Sequence, residues 1–213
     1  MARYAVDHLV VLCPDLAEAS QALALATGVE AAYGGKHGSG WTENAVAALG
    51  DHQYLELLAA TPEAPEGADP WVDRVRKLKA PSLHAWCASA KLGLHNAAQA
   101  LDGVGVPYEG PSPWERARPD GVTLKWSLLE PKPNALDPAL PFFIDWLDSP
   151  HPSKDAPPGL SIDCILIVHP EADRLNWLKV DDLRYSTAPE LRFEAELSGP
   201  AGGITYEHIR ERL

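Results

Sequence analysis

The chain repeats one pattern of residues at a constant spacing, and this repetition constrains its fold more than any other feature. One β-branched and leucine-rich segment opens with His8, and a related segment opens with His84, 76 residues later. The same spacing recurs at three further pairs: Leu16 and Leu92, Leu25 and Leu101, and Gly34 and Gly110. Unrelated segments seldom keep one offset over so many positions, so we expect copies of one structural unit.

Each of the first two copies has the pattern of a strand, an amphipathic helix and three further strands. We therefore predict an α+β fold in which two βαβββ modules form one curved sheet. The predicted boundaries are 1–60 for the first module, 61–81 for a linker with a short helix, and 82–147 for the second module. A third segment, 160–213, repeats the start of the unit with Cys164 in place of the histidine, which predicts a truncated third module.

Composition excludes two classes of partner. The formal net charge of −12 argues against nucleic acid and anionic membrane surfaces, because both attract basic proteins. No apolar run reaches the length of a membrane span, and the first predicted strand begins too close to Met1 for a signal peptide, so we expect a cytoplasmic protein. Three widely spaced cysteines on predicted strands are typical of reduced core residues: Cys13, Cys87 and Cys164.

Both modules carry a histidine on the first predicted strand and a carboxylate on the last. These pairs are His8 with Glu56, and His84 with Asp145. Burying a carboxylate among apolar residues is costly unless a positive partner is present, and a divalent cation held by two imidazoles and two carboxylates would supply one. Such nitrogen and oxygen donors suit zinc, nickel, cobalt, manganese or ferrous iron. The alternative, histidines hydrogen-bonded within a core, stays open.

Five segments of the chain resemble the vicinal oxygen chelate superfamily, which includes glyoxalase I, extradiol dioxygenases and bleomycin-resistance proteins, and within it the bacterial glyoxalase-like domain proteins. They are AspHisLeuVal at 7–10, GlyGlyLysHis with ThrGluAsn at 34–44, TyrLeuGluLeu at 54–57, ArgProAspGlyValThrLeuLysTrp at 118–126 and LeuProPhePheIleAspTrp at 140–146. The resemblance implies a cleft between the two modules with one divalent metal ion at its floor. The ligands that it implies are His8, Glu56, His84 and Asp145, the last standing where metal-binding members have Glu.

The resemblance also implies two candidate functions. The first is a divalent-metal-dependent lyase or isomerase that acts on a small oxygenated substrate, with Glu56 as the catalytic proton carrier. The alternative is a metal-free protein of the bleomycin-resistance type that binds a small molecule in an apolar cleft. A homodimer is a further expectation.

Several polar residues are candidates for substrate binding. His37 lies in a glycine-rich hairpin, where it could contact a ligand in the cleft or be a flexible polar tip, and Asn44 lies in the ThrGluAsn segment. A positive cluster of Arg116, Arg118 and Lys125 could bind an anionic substrate group, or it could be a solvated strand edge.

Other polar and aromatic residues have ordinary structural interpretations. Trp126 and Trp146 alternate with aliphatic residues, which is typical of a core. His151 and His169 each precede a proline, which favours a role in turns.

Overall fold

The computed structural model describes residues 4–67, 70–118 and 120–209. The first module contains β1 (Tyr4–Leu12), α1 (Leu16–Thr27), β2 (Ala32–Lys36), β3 (Thr42–Gly50) and β4 (Gln53–Ala60). After the linker helix α2 (Pro70–Lys77), the second contains β5 (Ser82–Ala90), α3 (Leu94–Gly103), β6 (Tyr108–Ala117), β7 (Thr123–Pro131) and β8 (Phe142–Asp145). The helices in these ranges are too short to cross a lipid bilayer.

Eight strands from the two modules form one sheet in the order β2-β3-β4-β1-β5-β8-β7-β6. In each module the first and last strands pair in parallel, and the modules join through the antiparallel pair β1 and β5. The two halves are therefore related by an approximate two-fold axis at this central pair. The predicted α+β fold of paired βαβββ modules is confirmed.

Two β-bulges determine which residues of the two modules are structurally equivalent. Asp7 is the extra residue of a bulge in β1, because its neighbours pair with consecutive residues of β5. His84 is the extra residue of the matching bulge in β5. The β1–β5 pairing is therefore symmetric when each residue of β1 is matched with the residue 77 positions later in β5. The counterpart of Asp7 is then His84, and the counterpart of His8 is Ala85. The offset of 76 is one residue short in these strands, and a one-residue slip exchanges the two faces of a strand.

The main core lies against the outer face of the large sheet. Helix α1 begins after Asp15, whose side chain accepts a hydrogen bond from the Glu18 N–H, and it ends at Gly28 in the left-handed region (φ 78°). Leu23 of α1 and Leu101 of α3 are fully buried in this core. Each buried leucine contributes about 1.5–3 kcal/mol of hydrophobic free energy, which holds the two helices against the outer face. The inner face of the sheet is not covered by these two helices.

A second sheet follows the modules. It contains β9 (Ser161–Val168), β10 (Leu183–Ser186), β11 (Arg192–Gly199) and β12 (Gly202–Glu207), in the order β10-β9-β11-β12. Its buried residues, such as Ile165 and Phe193, belong to the main core. A 3₁₀ turn, Ala172–Leu175, stands where the modules have a helix, and β9 pairs in parallel with the next strand instead of the last one. The segment predicted as a truncated module thus shares the element order but pairs its strands differently, and residues 210–213 lie outside the described ranges.

Two segments pack against the inner face at different places. Helix α2 places Trp71 and Val75 in a cluster with Val10 and Leu58 of the large sheet. The segment that includes the 3₁₀ turn Pro152–Lys154 packs on the inner face beside β3 and β4. The space between these contacts is the candidate site.

Candidate functional site

The inner face of the sheet encloses a cavity of about 170 Å³ that is lined by both modules. Its imidazole, carboxyl and guanidinium groups belong to His8, His37, Glu56, Arg116 and Glu130. The first three come from the first module and the last two from the second. Burial raises the pKa of the Glu130 carboxyl, and the nearby Glu109 adds to this effect.

Glu56 supplies a buried carboxylate at the cavity. The side-chain amide of Asn44 donates a hydrogen bond to its Oε1 atom, and the His37 Nε2 atom lies 3.6 Å from the same oxygen. Burial by itself raises the pKa of Glu56, but interactions with His37, together with the charges of His8 and Arg116, outweigh it and lower the pKa to about 2. Glu56 is therefore ionised at neutral pH. Its Oε2 atom makes no hydrogen bond with the described residues and is left for the cavity.

Local backbone structure places the two partners of Glu56. Asn44 lies on β3, and a Cβ atom at Gly34 would collide with its amide oxygen, so a side chain at position 34 would displace the Asn44 amide. The Nδ1 atom of His37 is hydrogen-bonded to the Thr42 hydroxyl over 2.8 Å, which orients the imidazole. His37 and Asn44, both candidates from the sequence, thus lie at the site.

Asp7 is the centre of a buried polar network beside the cavity. Its carboxylate lies 2.7 Å from His8 Nδ1, 3.1 Å from Trp146 Nε1 and 3.3 Å from His151 Nε2. Burial raises the pKa of Asp7, but the hydrogen bonds from His151 and His8 reverse this effect, so the net shift is downward. The bulge in β1 therefore places the carboxylate of Asp7 in hydrogen-bond contact with His8.

The partners of these histidines fix their tautomers. His151 Nδ1 accepts a hydrogen bond from the Ser153 N–H, so its Nε2 atom carries the proton that is donated to Asp7. His8 donates its Nδ1 proton to the same carboxylate. The Nε2 atom of His8 is then the nitrogen left for the cavity, which His8 lines while stacked on Tyr54 at a ring distance of 4.5 Å.

Arg116, on β6 of the second module, is a buried cation that lines the same cavity. Its residue is only 6% exposed, and its Nε atom has no hydrogen-bond partner among the described residues. No carboxylate of the described ranges lies within ion-pair distance of its guanidinium. A buried guanidinium with an unused N–H group is costly, which indicates a place for an anionic or strongly polar ligand group.

The other two members of the predicted positive cluster point elsewhere. Arg118 pairs with Asp155 at 2.5 Å and with Asp120 at 2.8 Å. Lys125 is exposed and alternates with two inward-facing residues of β7, so it lies on the outer side of the strand. Neither residue lines the cavity.

The structure does not bring the four predicted metal ligands together. His84, in its bulge, lies beside Arg74, and burial followed by the charges of Arg74 and His208 lowers its pKa to about 3. Asp145 is exposed and accepts a hydrogen bond from the Leu147 N–H. Only His8 and Glu56 of the four line the cavity.

A metal centre of that type does not fit the second module. Strand pairing makes Ala85 the counterpart of His8 and Phe142 the counterpart of Glu56, and neither has a ligand atom. Among the described residues, one group of three has the spacing for an ion, with its ligand atoms within 4.8 Å of one another: Asp7, His8 and Cys87. In that group the carboxylate already accepts its hydrogen bonds, and burial raises the pKa of the Cys87 thiol well above its usual range.

Sequence reasoning missed Asp7 and the contact that His151 makes with it, although the predicted turn role of His151 is confirmed by its position at the start of the 3₁₀ turn. Trp126 and Trp146 belong to a buried apolar cluster, as predicted, and they also line the cavity. Asp7 had a detectable signal, because a carboxylate next to a histidine inside an apolar strand is unusual. His151 had none, since its partner lies 144 positions away in the chain.

Comparison with known proteins supports the fold. The family model for the glyoxalase-like domain matches residues 6–181. A hypothetical protein from Staphylococcus aureus superposes with a TM-score of 0.64 at 18% identity, over 96% of this chain and 85% of the other. A mutant of 4-hydroxymandelate synthase from Streptomyces coelicolor superposes with a TM-score of 0.54 at 14% identity, over 98% of this chain and 63% of the other. The comparison with curated proteins found no match.

The paired modules, the curved sheet and these matches define the class of protein as the vicinal oxygen chelate superfamily. Because the family model covers most of the chain, the protein belongs to the glyoxalase-like domain family. At such low sequence identities, the similarity to solved structures establishes the fold alone. Membership of a superfamily of this kind does not determine the reaction.

Proposed function

We propose that the cavity binds a small oxygenated molecule through an anionic oxygen and transfers a proton on it, as a lyase or isomerase of the glyoxalase type. The observation that supports this proposal best is that one cavity contains both an ionised, buried Glu56 and a buried Arg116 that has no ion-pair partner among the described residues. The first group can take a proton, and the second can stabilise the negative charge that results.

The proposed step begins at Glu56. Its Oε2 atom takes a proton from a carbon next to a carbonyl group of the substrate. The electron pair of the broken C–H bond moves into the carbonyl group, and Arg116 donates hydrogen bonds to the resulting oxyanion. Where the first carbon carries a hydroxyl group, its O–H proton moves to the oxyanion, and Glu56 then returns the abstracted proton to the former carbonyl carbon, which gives the isomer. His8, held by Asp7, presents Nε2 as a second proton acceptor.

The low pKa of Glu56 makes it a weak base until a ligand binds. An anionic ligand at Arg116 cancels one of the positive charges that lower this pKa, and it also excludes water. Both effects raise the pKa toward the range in which a carboxylate is an efficient base at neutral pH. Ligand binding thus activates the proposed base.

The proposed steps use no metal ion. The divalent ion expected from the sequence (zinc, nickel, cobalt, manganese or iron) stays a prediction, as do the cytoplasmic location and the homodimer. The alternative function, metal-free binding of a small molecule, is favoured by the aromatic character of the cavity walls.

Solvent exchange tests the proposal. The protein is incubated in deuterium oxide with a panel of small 2-oxo and 2-hydroxy acids, and loss of the carbon-bound proton signal is followed by NMR. We expect exchange with at least one acid, and a rate roughly 10²- to 10⁴-fold lower for Glu56→Gln. The matched control is Glu115→Gln, because Glu115 is exposed outside the cavity. Equal rates in Glu56→Gln and the wild type would overturn the role of Glu56, and binding without exchange would select the binding function.

A further inference from the structure

The walls of the cavity contain an unusual share of the chain's aromatic residues. Four of the seven tryptophans line it, together with one tyrosine and one phenylalanine: Trp71, Trp114, Trp126, Trp146, Tyr54 and Phe142. The rings of Trp126 and Trp146 lie 5.4 Å apart with their planes tilted by 48°, so they meet as walls of one space. Aromatic walls bind flat ring faces and edges better than they bind aliphatic groups of the same size.

The volume of the cavity limits the size of the ligand. A cavity of roughly 150 Å³ is known to hold one benzene molecule, and this cavity measures about 170 Å³. One six-membered ring with a small substituent therefore fills it, whereas a second fused ring has to extend toward solvent.

The charge that such a substituent carries follows from Arg116. On β6, Arg116 lies two residues from Trp114, on the same face, and Trp114 pairs across the strands with Trp126. Arg116 lines the cavity beside these aromatic walls, so its guanidinium is within reach of a substituent on a ring bound between them.

We propose that the ligand is a single-ring aromatic carboxylate, bound with its ring between the tryptophans and its carboxylate on Arg116. This inference rests on the proposed function, because it assigns a ligand class to the same cavity; a substrate of this class also carries a C–H group next to a carbonyl group, which the probe benzoate lacks. The ring contributes contact with the aromatic walls, and the carboxylate pairs with the buried cation. Arg116 and the tryptophans therefore set specificity, while Glu56 stays available for the proton step.

Isothermal titration calorimetry with three matched probes tests the proposal. Benzoate has both features, cyclohexanecarboxylate has the charge without the aromatic ring, and benzyl alcohol has the ring without the charge. We expect benzoate to bind at least tenfold more tightly than either of the other two. Equal affinity for benzoate and cyclohexanecarboxylate would overturn the aromatic part, and equal affinity for benzoate and benzyl alcohol would overturn the carboxylate part.

Variants locate the binding to this cavity. Trp126→Leu is expected to weaken benzoate more than cyclohexanecarboxylate, and Trp114→Leu is expected to do the same to a smaller extent. Because Trp114 is 46% exposed at the rim, its replacement does not threaten folding. Trp177→Leu is the control, since Trp177 contacts Tyr4 and not the cavity. Unchanged affinities in both cavity variants would contradict the proposal.

Arginine variants test the other half. Arg116→Met should remove the preference for benzoate over benzyl alcohol, whereas Arg118→Met, on a side chain paired with Asp155, should keep it. Failure of this inference is separable from failure of the proposed function. Proton exchange on aliphatic acids without aromatic binding would contradict only the ligand class, and tight benzoate binding without exchange on any acid would contradict only the proton step.

Discussion

The two modules share one backbone plan, yet they differ at the residues that face the cavity. The first module presents His8 and Glu56 on its central strands, and the second presents Ala85 and Phe142 at the counterpart positions. Asp7, an ionised hub in the first module, corresponds to His84, a histidine whose pKa is lowered to about 3 in the second. The first module therefore contributes both imidazoles and the ionised Glu56 carboxylate to the cavity, and the second contributes Arg116 and most of the aromatic residues.

This difference shows that the symmetry of a fold does not imply symmetry of its site. The two bulges occupy equivalent places, but one orients a carboxylate toward three donors and the other places a histidine beside Arg74. Bulges redirect side chains without disturbing the rest of the sheet. The same kind of bulge thus holds a polar network beside the cavity in one half and places a histidine beside Arg74 in the other.

The largest expected effect separates Asp7 of the first module from Asp145 of the second. Asp7→Asn removes a buried charge from three hydrogen-bond donors, so we expect the free energy of unfolding to fall by about 3–5 kcal/mol. Asp145→Asn changes an exposed residue and should cost less than about 1 kcal/mol. Urea denaturation at pH 7 measures both. Equal losses would show that the modules are not as unequal as the structure indicates.

The next effect concerns acid stability and Glu56. Its folded pKa of about 2 lies below the ordinary value of 4.5, so its contribution is complete above pH 4.5 and is lost as the pH falls through 2. At 1.36 kcal/mol per pKa unit, this contribution is about 3 kcal/mol. The free energy of unfolding, measured by denaturation at several pH values between 4.5 and 2, should therefore decrease less for Glu56→Gln than for the wild type. An equal decrease of the free energy of unfolding in both proteins would mean that the fold does not hold Glu56 as an anion.

A smaller effect at neutral pH is expected from His84. Because its pKa falls from 6.5 to about 3 on folding, the neutral imidazole is favoured in the fold, and stability is lost as the pH decreases from 6.5 through 3. His84→Gln should remove this loss and change stability at pH 7 by less than about 1 kcal/mol. The exposed His95, replaced in the same way, is the control and should leave the pH dependence as it is.

The smallest expected effect is a null result in metal analysis. The amount of divalent metal per chain, measured after purification without chelator, should be the same in His84→Gln, Asp145→Asn and the wild type, because neither side chain lines the cavity. His8→Gln is the informative comparison, since His8 belongs to the group with metal-ligand spacing. A loss of metal in the His84 or Asp145 variant would restore the symmetric four-ligand centre.

The sequence predicted much of the fold because the repeat and the alternation of apolar residues are local signals. It also predicted His8, His37, Asn44, Glu56 and Arg116, all of which lie at the candidate site. It assigned His84 to the site because a one-residue bulge leaves no trace in the spacing of residues, although it changes the face on which a side chain lies.

The remaining parts of the site depend on long-range contacts. His151 reaches Asp7 only because the segment after β8 returns to the inner face of the sheet. Trp126 and Trp146 alternate with aliphatic residues, as core residues do, and only the curvature of the sheet makes their face a cavity wall. Such information is not present in any local pattern.

Direct titration of Glu56 tests the central claim, that the first module holds an ionised carboxylate ready to accept a proton. The protein is labelled with ¹³C at the glutamate side-chain carboxyl, and the Glu56 signal is assigned by its loss in Glu56→Gln. NMR titration of the free protein should give a pKa of about 2, and saturation with benzoate should raise it. A pKa at or above 4.5 in the free protein, or one that benzoate leaves unchanged, would contradict the account.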